Sequence, residues 1–174
     1  MIDKIIYIIV GVFVVYGILI FSLIINVNYR EYERNFKGLV QDLWNMEQGK
    51  EEDDMQRIGD LRLMEEVLEK NAGHNSNYCL SGQDYCEGKS IDGEGAFLSN
   101  GTGWVKVDLA QEDVPILPPD PINLDRFYYR YCSDGKTWEL NTRFMSDKYK
   151  LQAENDKGDD PARYEIGTNL NICR

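Results

Sequence analysis

The chain has 174 residues, with 19 basic and 30 acidic side chains and a formal net charge of −11. This balance argues against a nucleic-acid-binding protein, because binding to phosphates depends on clusters of Lys and Arg. Beyond its first 27 residues the chain has the size of one domain of common dimensions. The acidic composition predicts a well-solvated domain surface.

An uncharged apolar run extends from Ile5 to Ile25, interrupted only by Ser22. A helix needs about 20 apolar residues to cross the hydrocarbon core of a bilayer. A cleavable signal peptide has an apolar region of about 7 to 15 residues and ends at a small-residue cleavage site, and neither property fits this run. A buried core helix would need a domain that surrounds it on every side. We therefore predict a transmembrane anchor over residues 1–27, in contact with the lipid bilayer of the cell membrane.

The four cysteines, Cys79, Cys86, Cys132 and Cys173, all follow this run, and none belongs to a CxxC pair. Zinc sites generally use such closely spaced ligands, so disulfides are favoured over zinc. The short separation of Cys79 and Cys86 favours a local bridge, which leaves Cys132 to join Cys173. Disulfides persist in oxidising compartments, so we predict a single-pass protein whose carboxyl-terminal domain is extracytoplasmic.

Basic residues near the apolar run favour the opposite orientation. Arg30, Arg34 and Lys37 follow the run, whereas Lys4 and the amino terminus precede it. Positive charge concentrates on the cytoplasmic side of spanning helices. We nevertheless predict an extracytoplasmic carboxyl-terminal domain, because the cysteines and the family resemblance described below are stronger evidence than these charges.

Apolar residues after the run recur at alternating spacings of three and four, which places them along one stripe of a helix. They are Tyr29, Tyr32, Phe36, Leu39, Leu43 and Met46. We predict a helical stalk over residues 28–53. The stripe covers less than about three heptads, so a self-standing coiled coil is not required. It either lies on the chain's own domain or on the membrane surface, or it forms an assembly seam for a neighbouring copy.

A second helix is predicted to begin the domain of residues 54–174. Gly49 interrupts the stripe and predicts a hinge or a helix break, and Asp53 with Gln56 has the spacing of an N-terminal capping pair. Gly73 suits a left-handed C-terminal cap. The wider apolar face between these signals is broad enough to cover a sheet, and it consists of Ile58, Leu61, Met64, Val67 and Leu68.

The remaining chain carries strand signals. Alternation from Trp104 to Leu109 predicts a half-buried strand, and residues 163–167 predict a last edge strand. Asp134-Gly135 separates two β-prone runs and favours a two-residue hairpin turn. The resulting register pairs Arg130 with Glu139. It also places four side chains on the face of the hairpin that the second helix is predicted to cover, namely those of Tyr129, Tyr131, Trp138 and Leu140.

Cys132 would point to the opposite face of this hairpin, so a bond to Cys173 requires the carboxyl-terminal tail to cross that face. The order of a helix followed by an antiparallel sheet predicts an α+β domain.

The carboxyl-terminal part, about residues 56–174, resembles the globular part of bacterial type IV pilin-like proteins and of the pseudopilins of type II secretion. The resemblance rests on the segments RIGDLRLMEEVLEKN, GTGWVKVDL, LPPDPINLDRFYYRYCSDGKTWELNTRF and ARYEIGTNLNIC. Its most specific element is the DPIN segment before the Tyr-rich strand and the SDGK hairpin. It implies a long amino-terminal helix packed on a small antiparallel sheet, in a structural protein of a type IV pilus or type II secretion-type filament.

The amino terminus departs from the family's usual pattern. Family members usually begin with a short basic leader and carry a Glu just inside the apolar helix, whereas this sequence shows no such leader and no acidic residue between Asp3 and Glu31. Two functions stay open. One is a structural subunit or accessory of a filament, with like subunits or other pilus or secretion components as partners. The other is a membrane-tethered extracytoplasmic binding module that reuses the fold without entering a filament.

No enzyme is predicted, because His74 is the sole histidine and no Ser or Cys pattern marks an activated nucleophile. A structural calcium ion is the one cofactor that the sequence suggests. An acidic loop offers the oxygen ligands that calcium prefers, namely Asn155, Asp156, Asp159 and Asp160. The resemblance to major pseudopilins implies a calcium site there. A solvated acidic turn is the favoured alternative, since the spacing does not match an EF-hand loop.

Overall fold

The structure is a computed structural model that describes residues 2–71, 77–80, 83–110, 112 and 114–173, without the side chains of residues 2–14 and 28. The chain divides into two compact units, Met1–Met46 and Glu47–Arg174. We call the second unit the head. The regular elements are α1 (Ile2–Asn71), β1 (Cys86–Lys89), β2 (Arg130–Ser133), β3 (Trp138–Thr142), α2 (Asp147–Ala153) and β4 (Tyr164–Gly167). The predicted α+β class, with a long amino-terminal helix and a small antiparallel sheet, is confirmed.

The apolar run that predicts a membrane anchor lies within α1. Among the residues that the structure describes, no helix has both the length and the apolar character that a membrane crossing requires. The side chains of residues 5–14, where the run begins, lie outside the described ones. The anchor over residues 1–27 remains a prediction.

The head begins with the last turns of α1, and residues 47–71 are helical without interruption. The predicted break at Gly49 and the predicted helix start at Asp53 are therefore wrong. A glycine inside a helix costs only about 1 kcal/mol relative to alanine, and the packed turns that follow offset this cost. The helix ends at Asn71, where the sequence predicts an end, whereas Gly73 lies outside the described residues.

The inward face of α1 packs on the sheet as predicted. Leu61, Met64 and Leu68 are fully buried and belong to one core. The same core contains the predicted hairpin face of Tyr129, Tyr131, Trp138 and Leu140. The Tyr129 hydroxyl also donates a hydrogen bond to Asp60 on α1, at 2.7 Å. Helix and sheet are thus joined by apolar packing and by a polar contact at its edge.

The sheet has the order β1-β2-β3-β4, and every neighbouring pair is antiparallel. In the β2–β3 hairpin, Ser133 pairs with Trp138 and Cys132 pairs with Glu139. The predicted register, including the Arg130–Glu139 pair, is wrong by two positions. Because side chains alternate along a strand with a period of two, this error leaves each side chain on its predicted face.

The turn explains the shifted register. The Asp134 carboxylate accepts hydrogen bonds from the backbone N–H groups of Lys136 and Thr137 and from the Thr137 hydroxyl. Gly135 has a φ of 82°, in the left-handed region that favours glycine. The aspartate side chain therefore closes a loop of residues 134–137, in place of the predicted two-residue turn.

The predicted strand from Trp104 to Leu109 is also wrong, since this segment forms no strand. Its backbone bonds go to nearby loops: Trp104 N–H donates to Ala96, and Leu109 N–H donates to Ser99. Trp104 and Leu109 are nevertheless fully buried. The apolar side chains of this segment are thus buried in a folded loop and not in a strand. Two further elements, β1 and α2, were not predicted from the sequence.

The carboxyl-terminal tail crosses the face of the sheet opposite α1, as the sequence predicts. Cys132, Ile172 and Cys173 form a small buried cluster there. The buried Glu139 carboxylate accepts the backbone N–H groups of Ile172 and Cys173, each at 3.0 Å. The predicted last strand is confirmed as β4, which pairs with β3 at the edge of the sheet.

Candidate functional site

An exposed apolar surface with a regular helical pattern lies on α1 within the amino-terminal unit of the chain. We call it the exposed row; each of its side chains has more than half of its surface exposed. The exposed fractions are Tyr29 65%, Tyr32 70%, Phe36 55%, Leu39 57%, Leu43 54% and Met46 55%. These are the residues that the helical spacing singles out. At these exposed fractions, the row presents apolar side chains that an external partner could bury.

One flank of the exposed row carries both polar and apolar side chains. Lys37 forms an ion pair with Glu33 at 2.7 Å, one helical turn away, and the Tyr32 and Phe36 rings stack with centroids 6.5 Å apart. Val40 and Trp44 widen the row, with 49% and 62% of their surfaces exposed. Contiguous exposed apolar surface of this kind typically marks an interaction site.

Both predicted disulfides are present. Cys79 bonds Cys86, seven residues away, and Cys132 bonds Cys173, 41 residues away. None of the four cysteines is free. The first bond fastens the loop before β1, and the second fastens the carboxyl-terminal tail to β2.

A buried ionic network that the sequence analysis did not identify lies at the start of the head. Arg57 is fully buried and donates two hydrogen bonds to Asp120, at 2.8 and 2.9 Å, and one to Asp54, at 2.8 Å. Asp54 also accepts the backbone N–H groups of Met145 and Ser146. The network therefore joins α1 to the DPIN segment and to the chain before α2.

A sequence signal for this network exists. Asp54 and Arg57 continue the three-four spacing of Leu61, Met64 and Leu68, so both charged side chains fall on the buried stripe of the helix. A buried charge must be paired. The partner Asp120 is 63 residues away from Arg57, and no local pattern identifies it.

The acidic loop predicted as a calcium site lies beside β4. Asp156 accepts the backbone N–H groups of Gly158 and Glu165, each at 2.7 Å, and Asp160 accepts that of Ala162 at 2.9 Å. Asn155 donates to the Leu151 carbonyl, and Asp159 is exposed. In the described ranges, no three His, Cys, Asp or Glu side chains are grouped so as to hold a metal ion. Calcium binding therefore stays a prediction.

Glu165 is the most perturbed carboxyl group of the head. Only 2% of its surface is exposed, and its Oε1 atom has no hydrogen-bond partner among the residues that the structure describes. Burial raises the pKa of Glu165, and the negative charge of the neighbouring Glu139 carboxylate raises it further, to about 8. A proton on this carboxyl group removes a charge that the surroundings would otherwise leave without compensation.

The residue considered for catalysis, His74, lies outside the described residues, and the expectation that the chain is not an enzyme remains a prediction. No family model, no curated protein and no solved structure matches the chain. A function for this chain is therefore inferred from its own residues.

Proposed function

We propose that the chain is a membrane-anchored, pilin-like structural protein, a subunit or accessory of a type IV pilus or type II secretion-type filament. The observation that carries this proposal is the exposed row on α1, from Tyr29 to Met46. In this proposal the row binds like subunits or other components of the same filament. The head then decorates the assembly, and the chain performs no catalysis.

The energetics of the exposed row favour association. Full burial of one Leu, Phe or Met side chain contributes about 1.5–3 kcal/mol. The row repeats such side chains at the spacing by which helices pack side by side. A second copy that presents the same row is self-complementary, because both helices offer knobs and holes at matching intervals.

The membrane part of the proposal rests on the uncharged run from Ile5 to Ile25. The two disulfides support a head on the oxidising side of that membrane, because such bonds are rare in reducing compartments. The pilin-like part rests on the segments quoted above and on the order of a long helix followed by a small antiparallel sheet.

A second function has its own supporting observation. The head is a compact unit with a core that contains α1, the sheet and the buried loop around Trp104. Such a unit suits a membrane-tethered extracytoplasmic binding module that does not enter a filament. In that case the exposed row lies on lipid or on an unrelated partner.

Cysteine crosslinking in membranes of the source cell separates the two functions. Leu39→Cys places a thiol in the row, and Gln41→Cys places a matched exposed thiol on the opposite side of the same helix turn. A short bismaleimide should join Leu39→Cys chains to each other or to a filament component several times more efficiently than Gln41→Cys chains. Equal yields from the two variants, or monomer alone from both, would refute assembly through the row and favour the tethered module.

A further inference from the structure

The head contains a pocket of about 580 Å³ that the proposed assembly does not use. It lies between the first turns of α1 in the head, the chain before β2, the chain after β3, α2 and the loop before β4. The residues that matter for its chemistry are Lys50, Arg126, Phe127, Arg143, Phe144 and Lys150. Pockets that bind small molecules usually measure about 300–1,000 Å³. The volume is therefore sufficient for a small organic ligand.

The charge of this pocket is opposite to that of the chain. Carboxylates outnumber basic side chains by 30 to 19 in the sequence. The pocket reverses this ratio, because it is lined by four basic side chains and one carboxylate. The basic side chains are those of Lys50, Arg126, Arg143 and Lys150, and the carboxylate is that of Glu154. An excess of positive charge in a concave site attracts anions and raises their local concentration.

The two arginines of the pocket are available for a ligand. Lys50 is engaged by Glu47 at 2.9 Å and Lys150 by Asp147 at 2.8 Å. By contrast, the side chains of Arg126 and Arg143 form no ion pair or hydrogen bond with any residue that the structure describes. A guanidinium group presents donors in a planar fork that matches the oxygens of a carboxylate or a phosphate.

The positive charge of Arg143 acts on a neighbouring arginine. Burial lowers the pKa of Arg163, and the charges of Arg143 and Arg130 lower it further. An anion bound at Arg143 would reduce this repulsion between like charges. The electrostatic surroundings thus favour a negatively charged ligand over a neutral one.

Two aromatic side chains in the wall of the pocket are held in place by their neighbours. Phe144 packs against Tyr164 and Tyr149, with ring centroids 5.1 and 5.7 Å away. The Phe127 ring lies under the guanidinium groups of Arg57 and Arg126, at 5.4 and 5.2 Å. Both rings are therefore positioned before a ligand arrives, which lowers the entropy cost of binding.

From these features we infer that the pocket binds a small organic oxyanion, a carboxylate or a phosphate ester, that carries an aromatic or aliphatic body. Arg126 and Arg143 bind the charged group, and Phe127 and Phe144 contact the body. This ligand class does not depend on whether the chain enters a filament. A solvent-filled crevice with a basic rim would bind inorganic phosphate as well as it binds an organic ester.

Isothermal titration calorimetry of the full chain in a non-ionic detergent tests this inference. Phenyl phosphate and benzoate serve as probes, inorganic phosphate lacks the apolar body, and benzyl alcohol lacks the charge. At least one of the two organic anions should bind about tenfold more tightly than inorganic phosphate, and benzyl alcohol should not bind measurably. The relative affinities of phenyl phosphate and benzoate then report which oxyanion the arginines prefer.

Variants locate the binding site. The double variant R126Q/R143Q should bind the favoured probe about tenfold or more weakly than the unmodified chain does, because each arginine supplies hydrogen bonds to a charged group. R143K keeps the positive charge but loses the planar guanidinium group, so its affinity should be intermediate. R62Q, the control, removes an exposed arginine on α1 and should leave the affinity unchanged. Circular dichroism confirms that each variant is folded. No binding of either organic anion, equal binding of inorganic phosphate, or full affinity in the folded double variant would overturn the inference.

Discussion

Arg57 and Asp120 form a two-pronged ion pair across the interior of the head, with Nε donating to Oδ2 at 2.8 Å and Nη2 donating to Oδ1 at 2.9 Å. Both side chains are fully shielded from solvent. Asp120 also accepts the backbone N–H groups of Ile122 and Asn123. The pair fixes the proline-rich DPIN segment against α1, and its geometry explains why an aspartate follows the prolines there.

Replacing Arg57 by methionine should destabilise the head strongly. Removal of one partner from a buried, hydrogen-bonded ion pair costs about 3–5 kcal/mol, because the other charge is left buried and uncompensated. Urea unfolding of the full chain in non-ionic detergent, under non-reducing conditions, measures this change in the free energy of unfolding.

Arg62→Met is the matched control for Arg57→Met, since Arg62 is exposed on the same helix. Exposed substitutions usually change stability by less than about 0.5 kcal/mol. Equal unfolding free energies for Arg57→Met and Arg62→Met would show that the buried pair does not stabilise the fold.

The two disulfides should contribute unequally. In the chain-entropy model, the bond between Cys132 and Cys173, which are 41 residues apart, stabilises by about 4 kcal/mol. The bond between Cys79 and Cys86, which are 7 residues apart, stabilises by about 2 kcal/mol in the same model. Thermal unfolding of the two double-alanine variants should therefore show the larger loss for the Cys132–Cys173 pair, and the reverse order would contradict this expectation.

Patterns with a fixed period were sufficient to predict part of this fold. The three-four spacing of α1 gave the buried face with Leu61 and Leu68, and the period of two placed Tyr131 and Leu140 on one face of the hairpin. The disulfide pairing followed from the short separation of Cys79 and Cys86. Each of these inferences depends on neighbours that are close in the sequence.

The remaining features depend on contacts between distant parts of the chain. The register of the hairpin was decided by the Asp134 side chain, which closes a longer loop than the dipeptide predicts. The segment with Trp104 and Leu109 alternates like a strand but bonds to its own preceding loop. The sequence alone shows neither that Asp120 pairs with Arg57 nor that Arg126 and Arg143 line one pocket, because only the folded chain brings these residues together.

Glu165 should make the stability of the head depend on pH. Burial and the Glu139 carboxylate raise the pKa of Glu165 from its ordinary value of 4.5 to about 8. The folded chain therefore binds this proton more tightly than the unfolded chain does, so the free energy of unfolding falls as the pH rises between these two values. Urea midpoints at about pH 5 and about pH 9 should show this loss for the unmodified chain.

Glu165→Gln should show a smaller loss of stability over the same pH range, because glutamine carries no proton to release. Glu66→Gln, which changes an exposed carboxyl group on α1, should keep the slope of the unmodified chain. If the stability of Glu165→Gln fell with pH as steeply as that of the unmodified chain, Glu165 would not be the source of the pH dependence.

In the function proposed above, α1 anchors a disulfide-braced head on the outer side of a membrane. Glu94→Cys adds one exposed thiol to a loop of the head, and a membrane-impermeant maleimide applied to sealed, right-side-out cells reports its location. We expect Glu94→Cys to be labelled without permeabilisation. The unmodified chain, whose cysteines are all paired, should stay unlabelled even after denaturation without reductant. Labelling of Glu94→Cys only after lysis, or free thiols in the unmodified chain, would contradict it.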